Sequence, residues 1–229
     1  MKKRGFRTFL LFAVSLALVF VLSAYAEAAS SGLLTQSYTR PLSAMWWQWV
    51  LQNPADGNPI FGEGAVDCGL YQSGDIWFLA GTLGGSATRS CTIPQGKFLF
   101  FPLVNGFYMN SPGETTTVLQ KRKLLADSVD LACRLLSRVD GKATAYYRQT
   151  VRVQSAPFPL TLGPGWGTLF GDPALEGLSD PEAVADGYWV LLPPLSPGAH
   201  VVRFRGSACD PVTNDPLFSV DVKYNITVQ

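Results

Sequence analysis

CGLYQSGDIWFLAGTLGGSATRSCTIPQGKFLFFPLVN, Cys68 to Asn105, is the stretch on which the fold turns. Asp75–Thr82 carries Ile76, Phe78 and Ala80 on one strand face and Trp77 and Leu79 on the other. An apolar pattern on both faces predicts a strand lying between packed layers. Gly84-Gly85 reads as a turn, Thr88–Ile93 as a second strand, and Pro94-Gln95-Gly96 as a tight turn preset by the proline. Lys97–Val104 is the third strand, and Pro102 within it implies a sheet edge or a bulge near its end. Cys68 precedes the first strand and Cys91 lies within the second.

Outward from this stretch, Leu42, Met45, Trp46, Trp49 and Val50 recur at helical spacing, which predicts an amphipathic helix over 42–52 ended by Asn53-Pro54. Trp47 lies about 100° around the helix from Trp46, at the margin of that face or in solvent. A second helix is expected over 118–138, with Leu125, Val129, Ala132, Cys133 and Leu136 as its buried stripe and Lys121, Arg122, Lys123 and Asp130 in solvent. Asp140-Gly141 closes it. Strands follow at Thr144–Val153, Phe158–Leu162, Tyr188–Leu192, Ala199–Arg205 and Phe218–Val228. The last alternates Phe218, Val220, Val222, Tyr224, Ile226 and Val228 against polar residues, the pattern of a strand with one wet face. Residues 163–187, rich in glycine and proline, read as a long loop. The whole is mainly β: a β-sandwich of jelly-roll or immunoglobulin-like type with two peripheral helices, one domain over 41–229.

The first 28 residues read as a signal peptide, with a basic start (Lys2, Lys3, Arg4, Arg7), an apolar run from Phe9 to Leu22 and small-x-small sites before Ala29. Residues 29–40 form a flexible lead-in. Removing four basic residues and Glu27 takes the 18 basic and 17 acidic residues to 14 and 16, a formal charge of −2. That balance gives nucleic acid or an anionic membrane no electrostatic purchase. An extracytoplasmic location, periplasmic or secreted, follows. Four cysteines in an exported chain predict two disulfides, and Cys68–Cys91 with Cys133–Cys209 is the favoured pairing of three. The chain-entropy model assigns these about 3 and about 4.5 kcal/mol. No CxxC pair and no spaced Asp-x-Asp-x-Asp run is present, so no metal ligand set and no cofactor is expected.

The segments WWQWVLQNPADGNP, DC with QSGDIWFLAGT, RSCTIPQGKFLFFP, DGYWVLLPPLSPGAHVVRF and FSVDVKYNITV together resemble a family of exported bacterial β-rich proteins with no assigned activity. The resemblance spans most of the mature chain. It implies export and a β-rich fold, and brings no catalytic residue or ligand with it.

His200 is the sole histidine, in a strand beside Val201 and Val202, and no G-x-S-x-G elbow is present, which argues against a nucleophilic triad. Acid–base chemistry therefore falls to loop carboxylates. Asp56, Glu63, Asp67 and Asp75 are the candidates, and a pair about 5 Å apart could cleave a glycoside. Aromatic rings offer a binding alternative: Trp47 and Trp166 are the two tryptophans with a claim to exposure, where a ring stacks on a sugar, with Arg89 at the polar margin. The leading expectation is a non-enzymatic binding or structural domain whose partner is a saccharide or an envelope protein. A glycan hydrolase using the paired carboxylates is the alternative.

Overall fold

The computed structural model describes residues 36–144 and 150–229. The signal peptide and most of the lead-in lie outside the described residues. Among the described residues, 36–51 are helical (α1), so residues 36–40, expected in the lead-in, belong to the helix.

Eleven strands among the described residues build two mixed sheets. They are β1 (Gly64–Ala65), β2 (Ile76–Phe78), β3 (Gly85–Ile93), β4 (Phe98–Tyr108), β5 (Ala132–Val139), β6 (Lys142–Ala143), β7 (Thr150–Gln154), β8 (Phe158–Thr161), β9 (Ser179–Leu192), β10 (Gly198–Cys209) and β11 (Pro216–Val228). One sheet has the order β1-β3-β11-β10-β5-β6. The other runs β2-β4-β9-β7, with β8 paired to β9. β11 lies parallel to β3 over nine residue pairs, and β2 parallel to β4. These parallel pairs separate the molecule from the antiparallel jelly-roll and immunoglobulin patterns, and leave it a mainly β, sandwich-like fold.

The chain packs in three layers: α1, the β2-β4-β9-β7 sheet, then the β3-β11-β10 sheet. The middle sheet is buried on both faces. Phe78, Ala80, Phe100 and Trp189 pack with Trp46, Trp49 and Val50 of α1. Trp77, Leu79, Leu99 and Phe101 pack with Val202, Phe204, Val222 and Tyr224 of the other sheet. The two-sided pattern of residues 76–80 is thus an imprint of this middle position. Pro102 sits at a bulge in β4, between Pro102 and Val104, as its sequence position implies. The alternation of β11 also holds from Val220 to Val228, whereas Phe218 remains exposed.

Both disulfides form as paired above, Cys68–Cys91 and Cys133–Cys209. Two such bridges fit an oxidising, extracytoplasmic environment. No helix among the described residues is long and apolar enough to cross a membrane.

Four expectations are corrected. The second helix is shorter: α2 spans Val118–Val129, opened by a capping box between Thr117 and Gln120. Ala132, Cys133 and Leu136 belong instead to β5, which pairs with β10, so the second disulfide ties strand to strand. Asp140-Gly141 is the turn of the β5–β6 hairpin, with φ of 52° and 77°, the geometry for which Asp-Gly is favoured. Lys121 is not in solvent but 1% exposed, bonded to Asp180. Finally, 163–187 is largely ordered structure: helix α3 (Trp166–Phe170), a 3₁₀ turn at Pro173–Leu175, and the first half of β9.

Candidate functional site

The four candidate acids do not build a site. Asp56, Glu63, Asp67 and Asp75 are all exposed. Glu63 accepts the Thr88 amide at 3.2 Å, and Asp67 accepts that of Gly69 at 2.8 Å, closing a local turn. The Asp75 carboxylate is 91% exposed, 3.9 Å from Lys97. No group of three or more His, Cys, Asp and Glu converges in a metal-binding arrangement among the described residues.

The aromatic candidates are buried. Trp166 is fully enclosed, and its indole N–H donates to the Asn53 carbonyl at 2.9 Å. Trp47 is 6% exposed, packed edge-on against Trp46 and 4.5 Å from the Phe107 ring. Its burial follows from the length of β4, which runs four residues past its expected end and lays Phe107 over the flank of α1. Arg89 is 1% exposed. Its five N–H groups meet the carbonyls of Gly62, Ala80, Ile60 and Gly81 and the Tyr224 hydroxyl, at 2.6–3.0 Å, so none is left for a ligand.

Sequence reasoning missed a Ser196–His200–Asp140 arrangement. His200 Nδ1 lies 2.8 Å from Asp140 Oδ2, while Nε2 lies 2.8 Å from the Ser196 carbonyl and 3.3 Å from its hydroxyl. Carbonyl and carboxylate oxygens only accept, so both ring nitrogens carry protons. In that state the imidazolium has no lone pair with which to take the serine proton, and the trio acts as a structural clasp. Consistently, the Asp140 carboxylate, then the Ser196 carbonyl, raise the His200 pKa above its ordinary value. The clasp stabilises the fold fully below the unfolded histidine value of about 6.5, and this is lost as pH rises through the higher folded value. His200→Gln is expected to cost about 1 kcal/mol at pH 5 and less at pH 9. Urea midpoints at the two pH values measure it, and an equal deficit at both would contradict the charged state. The clasp borders an open groove of about 500 Å³ on the outer sheet face, with Ser90, Thr92, Asn225 and Thr227 among its lining.

A more enclosed cleft, of about 200 Å³, lies where α1 meets both sheets. Trp46 and Trp47 from α1, Thr82 and Leu83 from the loop after β2, Asn105 from β4 and Phe218 from β11 contribute to its walls. Asn105 fits there because its partner across β9 is Gly187, where a Cβ would come within 2.6 Å of the Asn105 Cβ. Leu83 and Phe218 stand at the solvent side, 50% and 37% exposed. Arg89 braces the cleft from behind, since Ile60 and Gly81, two of the residues whose carbonyls it holds, also line the cleft.

Three residues of this wall also carry buried polar atoms without a partner. Eight buried side-chain nitrogens and oxygens among the described residues lack a hydrogen-bond partner, and three of them, Trp47 Nε1, Thr82 Oγ1 and Asn105 Nδ2, belong to residues lining this cleft. Buried polar groups are ordinarily paired, because an unmade bond costs about 1–3 kcal/mol. No pattern in the sequence marks the trio, which comes from three separate elements. Comparison with family models, curated proteins and solved structures finds no match to this chain.

Proposed function

We propose that this is an exported, non-enzymatic binding domain that takes a small, largely apolar molecule into the cleft between α1 and the two sheets. The observation that carries the reading is an apolar, partly enclosed space at the junction of α1 and the two sheets, with Thr82 and Asn105 as the polar residues of its lining. Binding sites for small molecules have this composition, apolar walls with a few placed polar atoms. Export is supported by the basic and apolar N-terminal sequence, by the two disulfides and by the resemblance to exported bacterial proteins. The glycan-hydrolase reading finds no support in the placement of its four carboxylates. Saccharide stacking on Trp47 or Trp166 finds none in their burial.

Isothermal titration with a set of eight-carbon aliphatic compounds tests the reading. Saturable binding is expected, and Leu83→Trp, which adds bulk at the solvent side of the cleft without touching the core, is expected to weaken it at least ten-fold. Absence of binding by every compound, or binding indifferent to Leu83→Trp, would remove the cleft as the site.

A further inference from the structure

The outer face of the six-stranded sheet carries a charge pattern that the fold does not need. Val202, Phe204, Val222 and Tyr224 of β10 and β11 pack into the core, so Arg203, Arg205 and Lys223 stand on the opposite, outer face. In register, Arg203 lies between Lys223 of β11 and Arg138 of β5. Three cations thus form one row across three adjacent strands, about 10 Å long at the usual strand spacing. Arg205 adds a fourth, two residues further along β10. Like charges placed directly opposite one another destabilise a sheet. Among the described residues one carboxylate pairs with this row. It is Asp221, which accepts from Arg203 at 2.9 and 2.6 Å and lies 3.8 Å from Arg205. The side chains of Arg203 and Arg205 are still 47% and 48% exposed.

The neighbouring rows are polar and uncharged. Val201, Asn225 and Ser90 make the next row, and Ala199, Thr227 and Thr92 the one after it. These residues line the open groove of about 500 Å³ beside the histidine clasp. At its margin Asp140 is offset by the His200 imidazolium, and beyond β3 Glu63 accepts the Thr88 amide. The balance on the face is therefore four cations against Asp221 and Glu63. No aromatic side chain stands in the three rows, so the face lacks the kind of anchor on which protein interfaces centre. Hydroxyls and an amide beside a line of cations instead match the ring hydroxyls and carboxylates of an acidic sugar.

We propose that this face binds an acidic polysaccharide, a run of uronic-acid units laid across β3, β11, β10 and β5. Its carboxylates pair with Arg138, Arg203 and Lys223, and its ring hydroxyls meet Ser90, Thr92, Asn225 and Thr227 in the groove. The surface is separate from the cleft beside α1 and does not rest on it.

Isothermal titration of the purified protein compares oligogalacturonate, its uncharged methyl ester and inorganic polyphosphate. The oligogalacturonate is expected to bind at least about ten-fold more tightly than the ester, and to weaken several-fold as salt rises from about 50 to about 200 mM. Arg138→Thr with Lys223→Thr is expected to weaken it about ten-fold without lowering the urea midpoint, because the pair of changes relieves the row of like charges. Thr92→Val with Thr227→Val keeps the side-chain shape, and is expected to weaken the sugar about five-fold while leaving polyphosphate unaffected. Polyphosphate that binds as tightly as the sugar, with both indifferent to the threonine changes, would overturn the saccharide as occupant. Sugar affinity unchanged by the loss of Arg138 and Lys223, or no binding of oligogalacturonate at all, would overturn the surface. Leu83→Trp, which obstructs the cleft, is expected to leave the sugar affinity as it is, so the two sites fail separately.

Discussion

Arg89→Met is expected to lower stability by about 4 kcal/mol, because the Gly62, Ile60 and Gly81 carbonyls lose the arginine donor together, while the Ala80 carbonyl and the Tyr224 hydroxyl keep only the bonds that Ala80 and Tyr224 make to each other. Each such orphan costs about 1–3 kcal/mol, and relaxation keeps the total below the sum. Methionine fills much of the volume of the arginine stem, so the loss reports the hydrogen bonds more than a cavity. The guanidinium also lies 5.4 Å from the Tyr224 ring centroid, which adds a cation–π contact to what is removed. Arg89→Lys is expected to recover little, since an ammonium has three donors for five acceptors and no planar fork. Chemical denaturation of the three proteins measures the effect. A deficit under about 1 kcal/mol for Arg89→Met would show that the carbonyls find water or each other. Because Ile60 and Gly81 belong both to this network and to the cleft wall, the variant is also expected to weaken ligand binding at temperatures where it is still folded.

Lys121→Met is the second large loss, about 3–5 kcal/mol at neutral pH, since it leaves Asp180 ionised and buried without its cation. Asp180 is 5% exposed. Its burial works to raise its pKa, but the Lys121 ammonium and the amides of Asn110 and Glu182 outweigh that and hold it below the usual carboxylate range. With a depressed folded value, its stabilisation is complete above the unfolded value of about 3.9 and is lost as pH falls through the folded one. Without the lysine, burial dominates and the carboxyl takes up a proton more readily. The deficit of Lys121→Met is therefore expected to shrink between pH 7 and pH 4, and Lys121→Met with Asp180→Leu to recover part of the loss at pH 7. Denaturation midpoints at both pH values decide it. A deficit that grows toward acid would contradict the ionised pair.

What could be read in advance was the local pattern of strands that meet one kind of neighbour along their length. Ile76 to Ala80 shows its two buried faces because both layers cover it, and Val220 to Val228 shows one because the other face is wet. Of the three possible cysteine pairings the favoured one forms, although Cys68 lies in the turn after β1 and only Cys91 is on a strand. What escaped was whatever a distant element decides. Residues 132–139 alternate weakly and share helical spacing with Leu125 and Val129, and only pairing with β10 makes them a strand, although Asp140-Gly141 is a hairpin signal in its own right. Trp47 is buried by Phe107, sixty residues on. Lys121 is buried because β9 brings Asp180 to it. The candidate cleft was illegible for the same reason: α1, the loop after β2, β4 and β11 each supply part of it, and none carries a recognisable motif.

The claim that the cleft beside Trp47 receives a small apolar molecule is tested most directly in the amide–indole spectrum of the ¹⁵N-labelled protein. The chain has six tryptophans, hence six indole N–H signals, and Trp47→Phe identifies one of them. Titration with 2-octanone is predicted to move the signal of Trp47, whose ring lines the cleft, while the signal of Trp166, buried away from the cleft and bonded to Asn53, stays in place. A Trp47 signal that does not move at ligand concentrations saturating by calorimetry would contradict the account.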